Sequence, residues 1–258
     1  IDPFHLEAYG ETTVNYNRDV EAFPVLVTMF ERILGNCPYK SPTDMGVNMV
    51  GNCIVDDEAC REASRQEIVR RYYAALCEEK QGKADHSQIL KLELLMKKAN
   101  VTEDARKVVA PALLKAEQTG KPAAAMELPD GTVVTGKTSS LLGASAALLL
   151  NALKTLAGID DAHHLIAPEV IDPIQNLKVN HLGNRNPRLH TDETLIALSI
   201  SAATNPTAEL AMEQLPGLRG SEVHSTVILT EVDAGTFRKL GMNLTCDPEY
   251  QTKKLFHN

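Results

Sequence analysis

The densest group of side chains that could do chemistry lies in one polar stretch, residues 180–193. Its fourteen positions hold two histidines, three asparagines, two arginines and two acids. Burying so many hydrogen-bonding groups is unfavourable unless they pair or bind something, and polar loops on rigid scaffolds commonly carry function. We therefore predict a ligand-facing segment in which Arg185 and Arg188, with Asn184 beside them, hold a phosphate or carboxylate.

The same stretch supplies the candidates for proton transfer, which are His190, His181 and Asp192. Asp192 also has a purely structural explanation, because an acidic side chain in the first turn of a helix is stabilised by the helix dipole. The two histidines lie nine positions apart on a predicted loop. That spacing is too loose to indicate a metal site, and none is predicted.

A second stretch, residues 131–138, matches the phosphate-loop pattern G-x-x-x-x-G-K-[ST] letter for letter. In a true phosphate-binding loop, the strand precedes the first glycine and the four intervening residues wrap around the phosphates. Here Gly131 belongs to the turn of a predicted hairpin, and the four residues after it form a β-branched strand. An extended strand cannot also wrap around a phosphate, so we do not interpret this string as an ATP-binding loop.

The end of that string still indicates an anion site. The chain passes there from a predicted strand into a predicted helix that begins at Thr138. Lys137, Thr138 and Ser139 would bring an ammonium group, two hydroxyls and free backbone amides together, an arrangement that favours a phosphate or carboxylate. The alternative is that Thr138 or Ser139 only caps the helix while Lys137 is solvated.

Two further segments are weaker candidates. His224 lies near Ser221 and Ser225 in a predicted strand, which invites a nucleophile–base interpretation, but no G-x-S-x-G elbow accompanies it and a strand histidine is more often structural. Residues 44–53 contain two glycines and two asparagines, which indicates backbone that closely approaches a ligand or another chain. The alternative there is an ordinary glycine-interrupted strand.

The elements that would position these groups are mostly helices. Asp130-Gly131 between the β-prone segments 123–128 and 132–135 is a strong hairpin signal. Apolar periodicity and capping residues predict helices over 20–34, 57–80, 87–99, 103–118, 138–157, 168–179, 191–203 and 206–215. The end of the chain indicates a β-α-β unit over 222–230, 233–240 and 242–246. The class is therefore α/β or α+β, helix-rich with a small mixed sheet.

Within these elements, Pro111 should kink or divide the helix over 103–118, which Thr102 would cap. Asn205 before Pro206 is a good N-cap and first-position pair. We expect one domain over 1–258, with a helical subregion at 57–120 and an α/β subregion at 121–258.

Composition narrows the classes of function. The 258 residues carry a formal charge of −8, which argues against nucleic acid as a partner because phosphate contacts need clustered Lys and Arg. The longest apolar run, 141–150, is far short of a membrane span. The five cysteines are odd in number and none forms C-x-x-C, so reduced thiols in a cytoplasmic protein are expected. The chain starts at Ile1 without a signal peptide, and we expect a preceding segment.

Six long segments together resemble one family. They are IDPFHLEAYG (1–10), TTVNYNRDVEAFPVL (12–26), YKSPTDMGVNMVGNCIVDDEA (39–59), ELPDGTVVTGKTSSLLGASAALLLNALK (127–154), VNHLGNRNPRLHTDE (179–193) and GSEVHSTVILTEVD (220–233). The chain resembles the C-terminal half of the bacterial domain-of-unknown-function 1846 proteins over essentially its whole length. The resemblance implies an N-terminal α/β half, absent here, that would bind any nucleotide cofactor. It supplies no catalytic residues to carry over to this chain.

These observations favour the substrate- or anion-binding half of a cytosolic enzyme that acts on a phosphorylated or nucleotide-linked small molecule. The rival hypothesis is a non-catalytic oligomerisation or regulatory domain, in which the helix over 141–156 and the apolar run 195–203 pack between subunits of a homo-oligomer. Burial in the core would explain both segments as well, because periodicity does not separate core helices from interface helices. A metalloenzyme is disfavoured by the poor spacing of ligands.

Overall fold

A computed structural model describes residues 17–39 and 57–251 of the chain. Its contacts divide the chain into two compact units, residues 1–106 and 107–258. The predicted strand within the glycine-containing segment 44–53 lies outside the described residues.

The first unit is helical where it is described. Its helices are α1 (Asn17–Leu34), α2 (Asp57–Lys80) and α3 (His86–Ala99), close to the predicted ranges. α3 starts where the Asp85 carboxylate accepts a hydrogen bond from the Ser87 amide at 2.9 Å, and it ends at Asn100 in the left-handed conformation. Apolar side chains from all three helices are buried and form the core of this unit: Phe23, Val27, Ile68, Val69, Tyr73, Ile89, Leu92 and Leu95.

The helix predicted over 103–118 is divided in the structure. Glu103–Ala105 forms a single 3₁₀ turn, and helix α4 (Val109–Thr119) begins only after it. Pro111 therefore lies in the first turn of α4, where its missing N–H removes no intrahelical hydrogen bond. Thr102 occupies the cap position of the 3₁₀ turn, but its side chain makes no capping hydrogen bond.

The second unit contains a four-stranded mixed sheet in the order β2-β1-β3-β4. The strands are β1 (Ala123–Glu127), β2 (Val133–Lys137), β3 (Glu222–Ser225) and β4 (Asn243–Cys246). β1 pairs antiparallel with both β2 and β3, and β3 pairs parallel with β4. The predicted hairpin and the C-terminal β-α-β unit are both confirmed, and so is the helix-rich α/β class.

Successive residues of β1 face opposite sides of the sheet, as the two-residue period of a strand requires. Ala124 and Met126 belong to the main core, whereas Ala125 packs with Val108 and Ala112 on the other side. All of these side chains are fully buried. β1, one of the two inner strands, is thus covered on both faces.

The other helices of this unit are α5 (Ala144–Leu156), α6 (Pro168–Asn176), α7 (Thr191–Ala202), α8 (Pro206–Met212) and α9 (Glu231–Lys239). α6 continues into one π-helical turn, Leu177–His181, and a 3₁₀ turn, Leu215–Leu218, follows α8. Asn205 caps α8 as predicted, because its side chain accepts a hydrogen bond from the Thr207 amide at 3.0 Å.

The helix predicted to begin at Thr138 begins six residues later, at Ala144. The Ser139 hydroxyl accepts hydrogen bonds from the amides of Leu141 and Leu142, at 3.2 and 3.0 Å. The Ser139 amide itself donates to the Leu142 carbonyl. A serine that binds the backbone just ahead of it favours a turn over a helix, and residues 138–143 accordingly form a loop between β2 and α5.

Candidate functional site

Three loops of the second unit meet around a cleft of about 250 Å³. They are the loop between β2 and α5, the polar loop between the π-helical turn and α7, and the segment between β3 and α9. Five of the residues predicted from the sequence line this cleft: Thr138, Asn184, Arg185, Arg188 and His190. Seven further polar residues that line it were not predicted as site residues: Ser145, Lys178, Asn186, Glu193, Thr230, Asp233 and Gln251.

His190 and Asp233 form a hydrogen-bonded pair at the wall of the cleft, with 3.0 Å between Nδ1 of the imidazole and Oδ2 of the carboxylate. The other carboxylate oxygen accepts a hydrogen bond from the Thr191 amide at 2.8 Å, and the Thr230 hydroxyl donates to Oδ2 at 2.9 Å. A carboxylate only accepts hydrogen bonds, so Nδ1 carries the proton in this contact. The pairing therefore fixes both the ring orientation and the tautomer of His190.

The two members of this pair stabilise each other's charged forms. The hydrogen bond to Asp233 raises the pKa of His190 above its ordinary value, although burial works in the opposite direction. Burial alone would raise the pKa of Asp233, but hydrogen bonds from His190 and from the Thr191 amide outweigh it and the pKa is lowered. The Thr191 amide belongs to the N-terminus of α7, where the helix dipole also favours a negative charge.

An ion pair holds the backbone on either side of this histidine. Nζ of Lys178 lies 2.6 Å from Oε2 of Glu193 and donates to the Arg188 carbonyl at 2.7 Å. The same Glu193 oxygen accepts a hydrogen bond from the His190 amide at 2.8 Å. The Lys178 side chain is almost completely buried. A buried ammonium group with two such acceptors makes the loop before α7 hard to deform.

Two guanidinium groups line the same cleft. Arg188 donates from Nε to the Ser139 carbonyl at 2.7 Å, and its terminal nitrogens bind no other described residue. Arg185 is exposed and makes no hydrogen bond or ion pair with the part of the chain that the structure describes. Neither arginine has a carboxylate partner there, so both remain able to bind an anion.

Thr138 contributes a buried hydroxyl. The residue is 3% exposed, and Oγ1 has no hydrogen-bond partner within the described residues. Its amide donates to the Pro122 carbonyl at 2.9 Å, so the amide is not available to a ligand. The predicted role of free amides at a helix N-terminus is therefore wrong at Thr138 and Ser139, because the helix starts elsewhere and both amides have backbone partners.

The remaining predicted residues do not line the cleft. Lys137 is exposed in β2, and the Ser139 hydroxyl is engaged in the turn at 139–142. His181 is exposed in the π-helical turn. Asp192 is exposed in the first turn of α7, where its carboxylate accepts from the Glu193 amide at 2.8 Å. Its placement is the one expected from the helix dipole alone.

His224 is fully buried in β3. Its Nδ1 lies 2.9 Å from the Thr245 hydroxyl of β4, and its Nε2 lies 3.3 Å from the Asp247 carboxylate. The Ser225 hydroxyl donates to the Val227 carbonyl rather than to the histidine. These contacts tie two neighbouring strands together, which is the structural role that a strand histidine more often has.

Among the residues that were missed, Glu193 lies in the polar stretch 180–193, and Thr230 and Asp233 had a signal of their own. Thr230 and Asp233 have the three-residue spacing of a helix cap, and the Asp233 amide donates to the Thr230 hydroxyl at 3.3 Å. No sequence signal indicated Lys178, because the inward direction of its side chain depends on the π-helical turn that contains it.

Metal-ligand clusters, membrane-spanning helices and cavities are the other features of the described chain that could indicate a function. Within residues 17–39 and 57–251, no three His, Cys, Asp or Glu side chains cluster as metal ligands. None of the helices described there has the combined length and apolar character needed to cross a membrane. The first unit has a cavity of about 540 Å³, but none of the predicted site residues lines it.

Comparison with known proteins covers the whole chain. The family model for the domain of unknown function DUF1846, C-terminal, matches residues 104–256, and the model for the N-terminal domain matches residues 1–100. The expectation that the chain contains only the C-terminal half is therefore wrong, since residues 1–100 match the N-terminal domain. The boundary between the two matches lies close to the division between the two units.

Streptococcal proteins are close relatives. A UPF0371 protein of Streptococcus pyogenes serotype M5 is 60% identical over 256 residues, which cover 99% of this chain and 52% of the relative. A UPF0371 protein of Streptococcus thermophilus is 59% identical over the same length and with the same coverage. The chain thus spans about half the length of the curated relatives that it matches.

Proposed function

The chain belongs to the DUF1846 family, and we propose that its second unit supplies an anion-binding, acid–base site to a cytosolic enzyme acting on a phosphorylated or nucleotide-linked small molecule. The observation that carries this proposal is the His190–Asp233 pair in a cleft that also holds Arg185 and Arg188.

The hydrogen bond from His190 to Asp233 orients the imidazole for proton transfer. Asp233 engages Nδ1 of His190, and Nε2 has no hydrogen-bond partner within the described residues. A carboxylate at one ring nitrogen holds the imidazole so that the other nitrogen can exchange a proton with a bound molecule. A raised pKa keeps His190 protonated closer to neutral pH, where a general acid is most effective.

The charge around the cleft favours an anion. Its lining contains three cationic side chains, Lys178, Arg185 and Arg188. It contains two carboxylates, Glu193 and Asp233. Each carboxylate is already bound to a cationic or polar partner, whereas the two arginines are not paired with any described acid. A negatively charged group in the cleft would therefore meet two guanidinium groups next to the proton-donating imidazole.

A thermal-shift screen of the whole chain tests the proposal, with nucleotides, phosphorylated metabolites and carboxylates added with and without Mg²⁺. A ligand that binds the folded state raises the melting temperature by mass action. We expect such a shift with at least one of these anions and its loss in Arg188→Ala. The matched control is Arg238→Ala, which removes an exposed arginine outside the cleft. Equal shifts in both variants, or no shift with any anion, would contradict the proposal.

A second candidate function, homo-oligomerisation, has one specific observation in its favour. The helix predicted to pack between subunits at 141–156 is a core helix, because most of α5 is buried within this unit. On α7, however, Ile196 and Ile200 lie one turn apart with 59% and 57% of their surface exposed. Two large aliphatic side chains on one helix face would be buried if two copies packed through α7.

A further inference from the structure

We infer that the group held in this cleft is the phosphate of a small phosphomonoester and that Thr138 donates a hydrogen bond to it. This inference rests on the proposed function and narrows its substrate class. It favours a small ligand over a nucleotide in this cleft and assigns Thr138 a hydrogen bond to that ligand.

The charge of the lining matches a dianion. The three cations and two carboxylates leave one positive charge, and protonated His190 makes it two. A phosphomonoester carries about −1.5 to −2 at neutral pH, so it balances the protonated cleft. A single carboxylate would leave one positive charge uncompensated.

The donors around the cleft lie on separate loops. Nε of Arg188 donates to the Ser139 carbonyl, which leaves its terminal nitrogens, the Arg185 guanidinium and the Thr138 hydroxyl without described partners. Donors on separate loops suit the three terminal oxygens of a tetrahedral phosphate.

Thr138 brings a buried hydroxyl without a described partner to this lining. It is 3% exposed, and its hydroxyl binds none of the residues that the structure describes. Leaving a buried hydroxyl without a partner is unfavourable. A phosphate oxygen at this wall of the cleft would accept its proton. Thr194 has a similarly buried and unpartnered hydroxyl in α7 but does not line the cleft, so it provides a matched control.

The size of the cleft limits the rest of the ligand. Its volume is about 250 Å³. Pockets for drug-sized ligands have about 300–1,000 Å³. The cleft therefore fits a phosphate with a short carbon chain better than a nucleoside together with its phosphates.

Isothermal titration calorimetry on the whole chain tests this inference with three probes: glycerol 3-phosphate, glycerate and AMP. We expect glycerol 3-phosphate to bind at least about tenfold more tightly than the other two. Thr138→Val should weaken its binding by about tenfold or more, since a hydrogen bond to a charged group is being removed. Thr194→Val should leave that affinity within about twofold of the unmodified chain, because it makes the same chemical change outside the cleft.

Several results would overturn the inference, and they differ in what they say about the proposed function. Tighter binding of AMP or glycerate would reject a small phosphomonoester while leaving an anion site in place. Equal affinities for glycerol 3-phosphate in Thr138→Val and Thr194→Val would reject the role of Thr138 alone. No binding of any probe would reject the inference. The thermal-shift screen with the wider set of anions would then test the proposed function separately.

Discussion

Gly136 of β2 packs directly against the backbone of Leu148 in α5. A β-carbon added at position 136 would lie 2.3 Å from the Leu148 nitrogen and 2.6 Å from its α-carbon. The second glycine of the string G-x-x-x-x-G-K-T is therefore explained by close packing between a strand and a helix rather than by phosphate binding. The first, Gly131, lies in the hairpin turn with a φ of 84°.

This contact predicts that Gly136→Ala destabilises the second unit. The added methyl group meets backbone atoms, which cannot rotate away, so the strand and the helix must separate. Overpacking of this kind costs about 1–3 kcal/mol or more. Urea denaturation of the whole chain measures the loss in the free energy of unfolding.

Gly235→Ala provides the matched control, because a β-carbon at this helical position meets nothing within 4 Å. It should stabilise the chain by about 0.5–1 kcal/mol, since alanine has the higher helix propensity. If Gly136→Ala and Gly235→Ala change the free energy of unfolding in the same direction, close packing at Gly136 is not the determining contact.

The His190–Asp233 pair predicts how stability varies with pH. His190 has a folded pKa above its ordinary value of 6.5, so its contribution is fully present below pH 6.5 and is lost as the pH rises through the folded pKa. Asp233 has a folded pKa below its ordinary value of 3.8, so its contribution is present above 3.8 and is lost as the pH falls through the folded pKa. The pair therefore stabilises the fold most strongly between these two values.

We expect the melting temperature of His190→Asn to decrease less than that of the unmodified chain as the pH rises from 6 to 9. His181→Asn is the control, because that histidine is exposed and has no partner in the described part of the chain. Lys178 and Glu193 also face His190 and exert opposite effects on its pKa. A pH profile of His190→Asn that superimposes on that of His181→Asn would exclude the pair as the source of this dependence.

The local elements of this fold could be predicted from the sequence because their signals are local. Asp130-Gly131 defines the hairpin, and the cap at Asn205 defines the start of α8. The start of α5 was predicted at the wrong residue. The strand position of Gly136 and the turn at Ser139 both depend on atomic contacts that the spacing of apolar residues does not reveal.

The candidate site could be predicted only in part, for a related reason. Five of its residues come from two polar stretches that composition alone makes conspicuous. Asp233 lies 43 residues from His190 along the chain, and only the β-α-β unit brings its carboxylate to the imidazole. Lys178 is directed inwards by a π-helical turn. No spacing rule links these residues, so the acid–base pair requires the tertiary structure.

The Lys178–Glu193 ion pair should be a large contributor to the stability of the polar loop. Removing one partner of a buried pair costs about 3–5 kcal/mol. Lys178→Met should fall at the lower end of that range, because the Glu193 side chain is 26% exposed and can be partly hydrated. A double-mutant cycle with Glu193→Gln, followed by urea denaturation, measures the coupling between the two side chains.

The exposed pair Arg238–Glu231 is the control for that cycle. Its two side chains are mostly in solvent, so the same cycle with Arg238→Met and Glu231→Gln should give a coupling of less than about 1 kcal/mol. Coupling energies of equal size in the two cycles would mean that burial does not strengthen the Lys178–Glu193 interaction.

The exposed face of α7 makes homo-oligomerisation testable by one substitution. If two copies pack through this face, Ile196→Glu places a charge where an apolar side chain would be buried, so the assembly should dissociate while the monomer remains folded. Size-exclusion chromatography with light scattering gives the mass, and circular dichroism checks the fold. Leu113→Glu changes a similarly exposed residue of α4 and should leave the assembly intact. A monomeric unmodified chain, or dissociation by both variants, would reject α7 as the contact surface.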